Sequence, residues 1–104
     1  MDYKVVITID AENDLDQFIN YLIYEKKSLQ SANNLLDDFD SIIESLTHIA
    51  GSLKLCDNPR FRKLGYRRIN FLKHRYFMLY RIVDNLVIVD NIFHELQDYE
   101  NRIF

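Results

Sequence analysis

The side chains with chemistry to offer are arginine, lysine, histidine and tyrosine, and they gather in the second half of the chain. Between Lys54 and Arg81 stand nine cations (Lys54, Arg60, Arg62, Lys63, Arg67, Arg68, Lys73, Arg75 and Arg81) against one acid, Asp57. Tyr76 and Tyr80 lie in an apolar run within this block, His94 closes the last such run, and Tyr99 follows it. Guanidinium and ammonium groups neutralise phosphates and the charge that develops in a phosphoryl transition state, while an imidazole or a phenol can move a proton. That inventory suits contact with a phosphodiester, with the tyrosines able to stack on bases; on strands, tyrosines serve equally as core residues or cross-strand pairs. No glycine-rich phosphate loop, paired-histidine metal motif or Ser/Cys nucleophile setting is found. The single Cys56 can build neither an internal disulfide nor a thiolate metal site. Neither a metal nor a cofactor is expected.

Three strands must carry most of these groups. Tyr66 to Leu72, Arg75 to Val83 and Leu86 to Phe93 are rich in Tyr, Phe, Ile, Val and Leu, the residues that fit a pleated, partly buried surface. Asp84-Asn85 between two apolar runs predicts a two-residue hairpin turn, since both tolerate left-handed backbone. Upstream, Tyr3 to Ile9 reads as a first strand. Asp10 can cap the helix that follows, whose stripe is Leu15, Phe18, Ile19, Leu22 and Ile23. Ser28 can cap a second helix, in which Ala32, Leu35, Leu36, Phe39, Ile42, Ile43, Leu46 and Ile49 keep the 3/4 spacing until Gly51 offers a stop. Asp37, Asp38, Asp40 and Glu44 fall on or near the opposite face and read as solvated surface. Cys56-Asp57-Asn58-Pro59 has the signature of a loop, and residues 94 to 102 are polar enough for a short closing helix or an ordered tail. The expected fold is α+β in the order β-α-α-β-β-β-α: a two-helix antiparallel hairpin packed on a twisted antiparallel sheet.

Length and charge limit the rest. With 104 residues, 48% of them apolar, the chain suffices for one domain, residues 1–104, with a core of its own. No apolar run approaches the roughly 20 residues of a membrane span, and the first residues lack the layout of a signal peptide. A cytoplasmic protein with no membrane partner is expected. The net charge of −3 conceals a segregation: residues 1–53 carry −7, residues 54–81 carry +8 and residues 82–104 carry −4. A basic block in an acidic chain points to a polyanion or an acidic protein as partner.

The order of elements, the opening strand followed by Asp10-Ala11-Glu12-Asn13-Asp14-Leu15, the run Arg68-Ile69-Asn70-Phe71, the strand Arg75-Tyr76-Phe77-Met78-Leu79-Tyr80-Arg81-Ile82-Val83, and the ending Ile92-Phe93-His94 to Asp98-Tyr99 together resemble the RelE/ParE family of bacterial toxins, the plasmid-stabilisation type. The resemblance covers essentially the whole chain. It implies the toxin of a type II toxin-antitoxin system, a growth inhibitor neutralised by a cognate antitoxin protein. It also implies one of two targets. RelE-like members cleave mRNA on the ribosome, and ParE-like members poison DNA gyrase.

Carried over residue by residue, the resemblance sets Phe77 where RelE-like nucleases commonly have an arginine. Arg75 and Arg81 share a face with Phe77 on an ideal strand and could supply that charge. His94 matches the position of a catalytic histidine in some family nucleases, and is otherwise an interface or packing residue. Arg67 and Arg68 are adjacent on a strand and must face opposite sides. A metal-independent endoribonuclease would use Arg67, Arg75 or Arg81 to steady the phosphate and His94 to move the proton. A ParE-like binding inhibitor, favoured by Phe77 and by the Asp98-Tyr99 ending, would use the wider basic surface: Lys54, Arg60, Arg62, Lys63, Arg68, Lys73 and Arg75, with Tyr80 and Tyr99. A third reading is a non-toxic interaction module of the same fold.

Overall fold

The computed structural model describes residues 2–97. Strand β1 (Lys4–Ile7) leads into helix α1 (Ile9–Asn20), which runs on into a π-helical turn over Tyr21–Glu25 before helix α2 (Leu29–Ile49). A short helix α3 (Pro59–Lys63) precedes β2 (Arg67–Asn70), β3 (Tyr76–Val83) and β4 (Leu86–His94). The sheet order is β1-β4-β3-β2. The last three strands form the expected antiparallel meander, whereas β1 joins β4 in parallel, with Lys4 opposite Leu86 and Ile7 opposite Val89. The sheet is therefore mixed. The helices intervene between β1 and its sheet neighbours, giving the chain the crossover a parallel pair requires.

Local chemistry sets the boundaries. Thr8, not Asp10, caps α1: its hydroxyl oxygen accepts the N–H of Ala11 at 3.1 Å and its O–H donates to Asp90 O at 3.0 Å. One hydroxyl thus starts the helix and ties it to β4, while Asp10 and Glu12 occupy the first turn, where the helix dipole favours acids. Ser28 caps α2 through Ser31 N–H as expected. α2 ends before Gly51, in a 3₁₀ turn over Ala50–Ser52. A Cβ at Gly51 would meet the Tyr3 hydroxyl, so the Tyr3 ring would have to shift to admit one. The Asp84-Asn85 turn joins paired Val83 and Leu86, with Asp84 at φ 57°.

Both faces of the sheet are covered. On one, α1 and α2 contribute Leu15, Phe18, Leu35, Ile42 and Leu46 to a core with Ile69, Tyr76, Met78, Tyr80, Val87, Val89 and Ile92. On the other, Phe77, Leu79 and Phe93 pack with Phe61 of α3, flanked by Cys56 and Tyr66. This explains why Tyr76 to Tyr80 are all buried: a central strand covered on both sides loses the polar alternation of a half-exposed one. The stretch 52–64, marked as a loop by Cys56-Asp57-Asn58-Pro59, instead includes helix α3. Asn58 caps it by accepting from Arg60 and Phe61 N–H, Pro59 takes the first turn, and Gly65 (φ 83°) follows its end.

Candidate target-binding surface

The predicted site residues divide by strand parity into two faces and an end. Arg68 lies on the α3 side, its guanidinium carbon 3.7 Å from the centre of the Phe77 ring and its Nε–H donating to Asn70 Oδ1 at 2.8 Å. Such stacking of a cation on an aromatic face is worth on the order of 0.5–1 kcal/mol at a partly exposed site. It also fills with a cross-strand arginine the region over buried Phe77. Outside β2, the segment Leu55-Cys56 pairs with Arg67 and Tyr66. The groove between this segment and β2 has a volume of about 590 Å³ and is lined by Lys54, Leu55, Cys56, Asp57, Asn58, Arg68 and Asn70. Arg62 donates to Cys56 O at its margin at 3.5 Å, and Arg60 and Lys63 are exposed on α3. Burial pushes the Cys56 thiol up, so it stays protonated at neutral pH and is no nucleophile.

Arg81 shares this face but is committed. Its Nε and Nη2 grip Asp90 at 2.6 and 3.3 Å, and Asp90 is the extra residue of a bulge in β4 between the pairs Leu79–Asn91 and Tyr80–Val89. The bulge turns the carboxylate toward Arg81. The bond to Asp90 raises the guanidinium further above its ordinary value. Beside it, burial and then the Asp90 charge raise Tyr66, leaving that phenol neutral.

Arg67 points the other way, toward the helices, with Nε–H donating to Leu53 O at 2.8 Å. Tyr80, expected at a target surface, is instead fully buried. Its hydroxyl donates to Ala50 O at 2.8 Å and burial pushes its pKa up to about 12. The assignment of Tyr80 to target contact is therefore corrected: it stands on the core side of a strand covered on both faces, and its hydroxyl ties β3 to the end of α2. Tyr99 lies outside the described residues. His94, at the end of β4 opposite Tyr76, is also on the helix side, edge-on to the Tyr76 ring at 5.0 Å. Its Nδ1 accepts the N–H of Leu96 at 3.1 Å, which leaves the ring proton on Nε2 in the neutral form. His94, Arg67 and Arg81 are thus not brought together.

Lys73 and Arg75 are exposed on the β2–β3 turn at the same end of the sheet as His94. An acid that the sequence assigned to solvent holds this turn. Asp38 is buried, and its carboxylate accepts Leu72 N–H (3.1 Å), Lys73 N–H (2.9 Å) and a bond from His74 Nδ1 (2.8 Å). Burial alone would raise Asp38, but these bonds outweigh it and hold the carboxyl below its ordinary value. The signal was present in the spacing: Leu35, Asp38, Ile42 and Leu46 form one 3/4 stripe, so Asp38 sits on the apolar face of α2. Among the described residues no cluster of His, Cys, Asp and Glu could hold a metal ion, and no helix is long and apolar enough to cross a membrane.

Comparison with known proteins bears on this arrangement. The family model described as ParE toxin of type II toxin-antitoxin system, parDE, matches residues 5–99. No curated protein sequence matches the chain. Among solved structures, a chain of a chromosomal ParDE toxin-antitoxin system from P. aeruginosa superimposes with a TM-score of 0.69 at 15% identity, over 88% of this chain and 95% of that one. A chain of the toxin-antitoxin complex RelBE2 from Mycobacterium tuberculosis does so with a TM-score of 0.59 at 18% identity, over 90% and 99%. These identities speak to the fold. The family match over nearly the whole chain, on a fold that both neighbours share, makes this chain a member of the ParE toxin family of type II toxin-antitoxin systems.

Proposed function

We propose that the chain arrests growth by binding DNA gyrase rather than by cutting RNA, and that a cognate antitoxin protein holds it inactive. The observation that carries this reading is the dispersal of the catalytic candidates. Cleavage of a phosphodiester needs a proton-transfer group and a stabilising cation within about 3 Å of one reacting centre. Here Arg67 on the helix side and Arg81 on the α3 side are each engaged by a structural partner away from His94, and of the candidate cations only exposed Arg75, on the β2–β3 turn, lies at the His94 end of the sheet. What remains accessible is a set of basic groups around Lys54, Arg62, Lys63 and Arg68, with Lys73 and Arg75 at the end of the sheet. An acidic antitoxin segment, ordering as it binds, is complementary to these groups, which speeds capture and fixes register.

The test is His94→Asn. Asparagine can keep an acceptor for Leu96 N–H where Nδ1 stood, and it cannot exchange a proton at neutral pH. Growth arrest by H94N within twofold of wild type, together with inhibition of gyrase supercoiling by both proteins, is the expected outcome. Loss of arrest by a folded H94N, with mRNA cut on the ribosome by wild type alone, would transfer the chain to the endoribonuclease class.

A further inference from the structure

One end of the sheet carries two turns whose backbones are held and whose side chains are left over. In the β2–β3 turn, Asp38 takes the N–H groups of Leu72 and Lys73 and the ring of His74, and Phe71 N–H donates to Tyr76 O. In the turn after β4, Leu96 N–H donates to His94 Nδ1 and His94 N–H to Gln97 Oε1. Glu95 N–H donates to Arg75 O and joins the two turns. Projecting from this edge are Leu72, 74% exposed, and Leu96, 81% exposed, together with the exposed cations Lys73 and Arg75. The bordering carboxylates are Glu95 and, across a cleft on α2, Asp37. Neither cation forms an ion pair among the described residues.

Leaving two leucines this exposed forgoes the gain of burying them, and the burial of the Asp38 carboxylate is offset by the backbone N–H groups of this very turn. Both sit at one edge, where Asp38 fixes the backbone that presents Leu72 and Lys73. Holding a loop in its bound form before contact removes the ordering cost of association. We propose that this edge is the docking element for an acidic protein surface on the toxin's target, with apolar sockets for Leu72 and Leu96 and carboxylates for Lys73 and Arg75, and with Asp38 and His94 as positioning residues. Phosphodiester contact would use the cations and leave the leucines idle; a protein surface uses both. The inference rests on the reading that the chain acts by binding a protein.

The experiment compares growth arrest on induction in a bacterial host, antitoxin absent, for wild type, Leu72→Ser/Leu96→Ser, Lys73→Glu/Arg75→Glu, Asp38→Asn, His94→Ala and His94→Asn. Global stability and amide hydrogen exchange are measured on each purified protein. The two surface double variants should lose arrest at least tenfold with melting temperatures within about 2 °C of wild type. Asp38→Asn should speed exchange at the Leu72 and Lys73 amides, and His94→Ala at Leu96. Both should weaken arrest, and His94→Asn should restore it. Full arrest by the surface variants overturns the docking edge, whatever wild type inhibits. Early failure of translation under wild type, with arrest abolished by the charge reversal and untouched by the leucine exchange, overturns the protein partner and gyrase together. Arrest lost in both double variants while protein synthesis falls first removes gyrase and leaves the edge standing. A wild type that arrests nothing overturns both.

Discussion

At the scale of single residues, the chain spends its polar groups on tying elements together. Tyr80→Phe removes the donor to Ala50 O and leaves a buried carbonyl short of a partner, so it should cost about 1–2 kcal/mol. Target affinity should be unchanged, because the ring never reaches the surface; a urea titration beside a growth-arrest assay checks both. Asp38 gives a pH signature. Its folded pKa is depressed, so its contribution is complete above the unfolded carboxylate value and is lost as pH falls through the folded one. Wild type should therefore lose more stability than Asp38→Asn on acidification through the region below pH ~4, and equal losses in thermal melts would contradict this. Asp38 was legible in the sequence only as an acid on an apolar stripe. Its partners are backbone N–H groups far along the chain, which no spacing rule marks.

At the scale of elements, short polar bridges decide where helices and strands stop. β1 ends at Ile7 while β4 runs on to His94, so the edge of β4 beyond β1 would expose its N–H groups. Asp14 of α1 takes that place: its carboxylate accepts Ile92 N–H at 2.9 Å and Asn91 Nδ2–H at 3.3 Å. Replacing Thr8 by Ala should cost about 1 kcal/mol for the lost cap, and Asp14→Ala about 1–2 kcal/mol for the unsatisfied amide. The two should be non-additive in a double-mutant cycle, since both dock α1 on β4. Helices α1 and α2 and the three last strands were legible from periodicity and turn residues. The parallel pairing of β1 was not, because it depends on where the helical hairpin delivers the chain. Helix α3 was missed for another reason. Its Asn58-Pro59 start and Gly65 stop are good capping signals, but five residues are too few to show a helical period.

For the whole molecule, the segregated charge read from the sequence becomes a basic surface around the α3 side and the end of the sheet, opposed by acidic helices. Association with an acidic partner should weaken as salt rises, through a lower on-rate more than a faster off-rate. Charge reversal at Arg68 should remove part of that salt dependence, whereas replacing Arg81 and Asp90 together by Ala should change it little, because the pair they form is neutral. Family membership was legible from the ordered set of elements. Strand parity was legible as well, since Arg81 shares the face of Phe77 and Arg67 and Arg68 face opposite sides; which face the helices cover, and the Asp90 bulge that engages Arg81, were not. The most direct test of binding without cleavage is to induce the chain without antitoxin and follow labelled thymidine and labelled amino-acid incorporation over the first minutes. Thymidine incorporation should fall first, with protein synthesis following later. Protein synthesis collapsing first, accompanied by cut mRNA on ribosomes, would contradict the account.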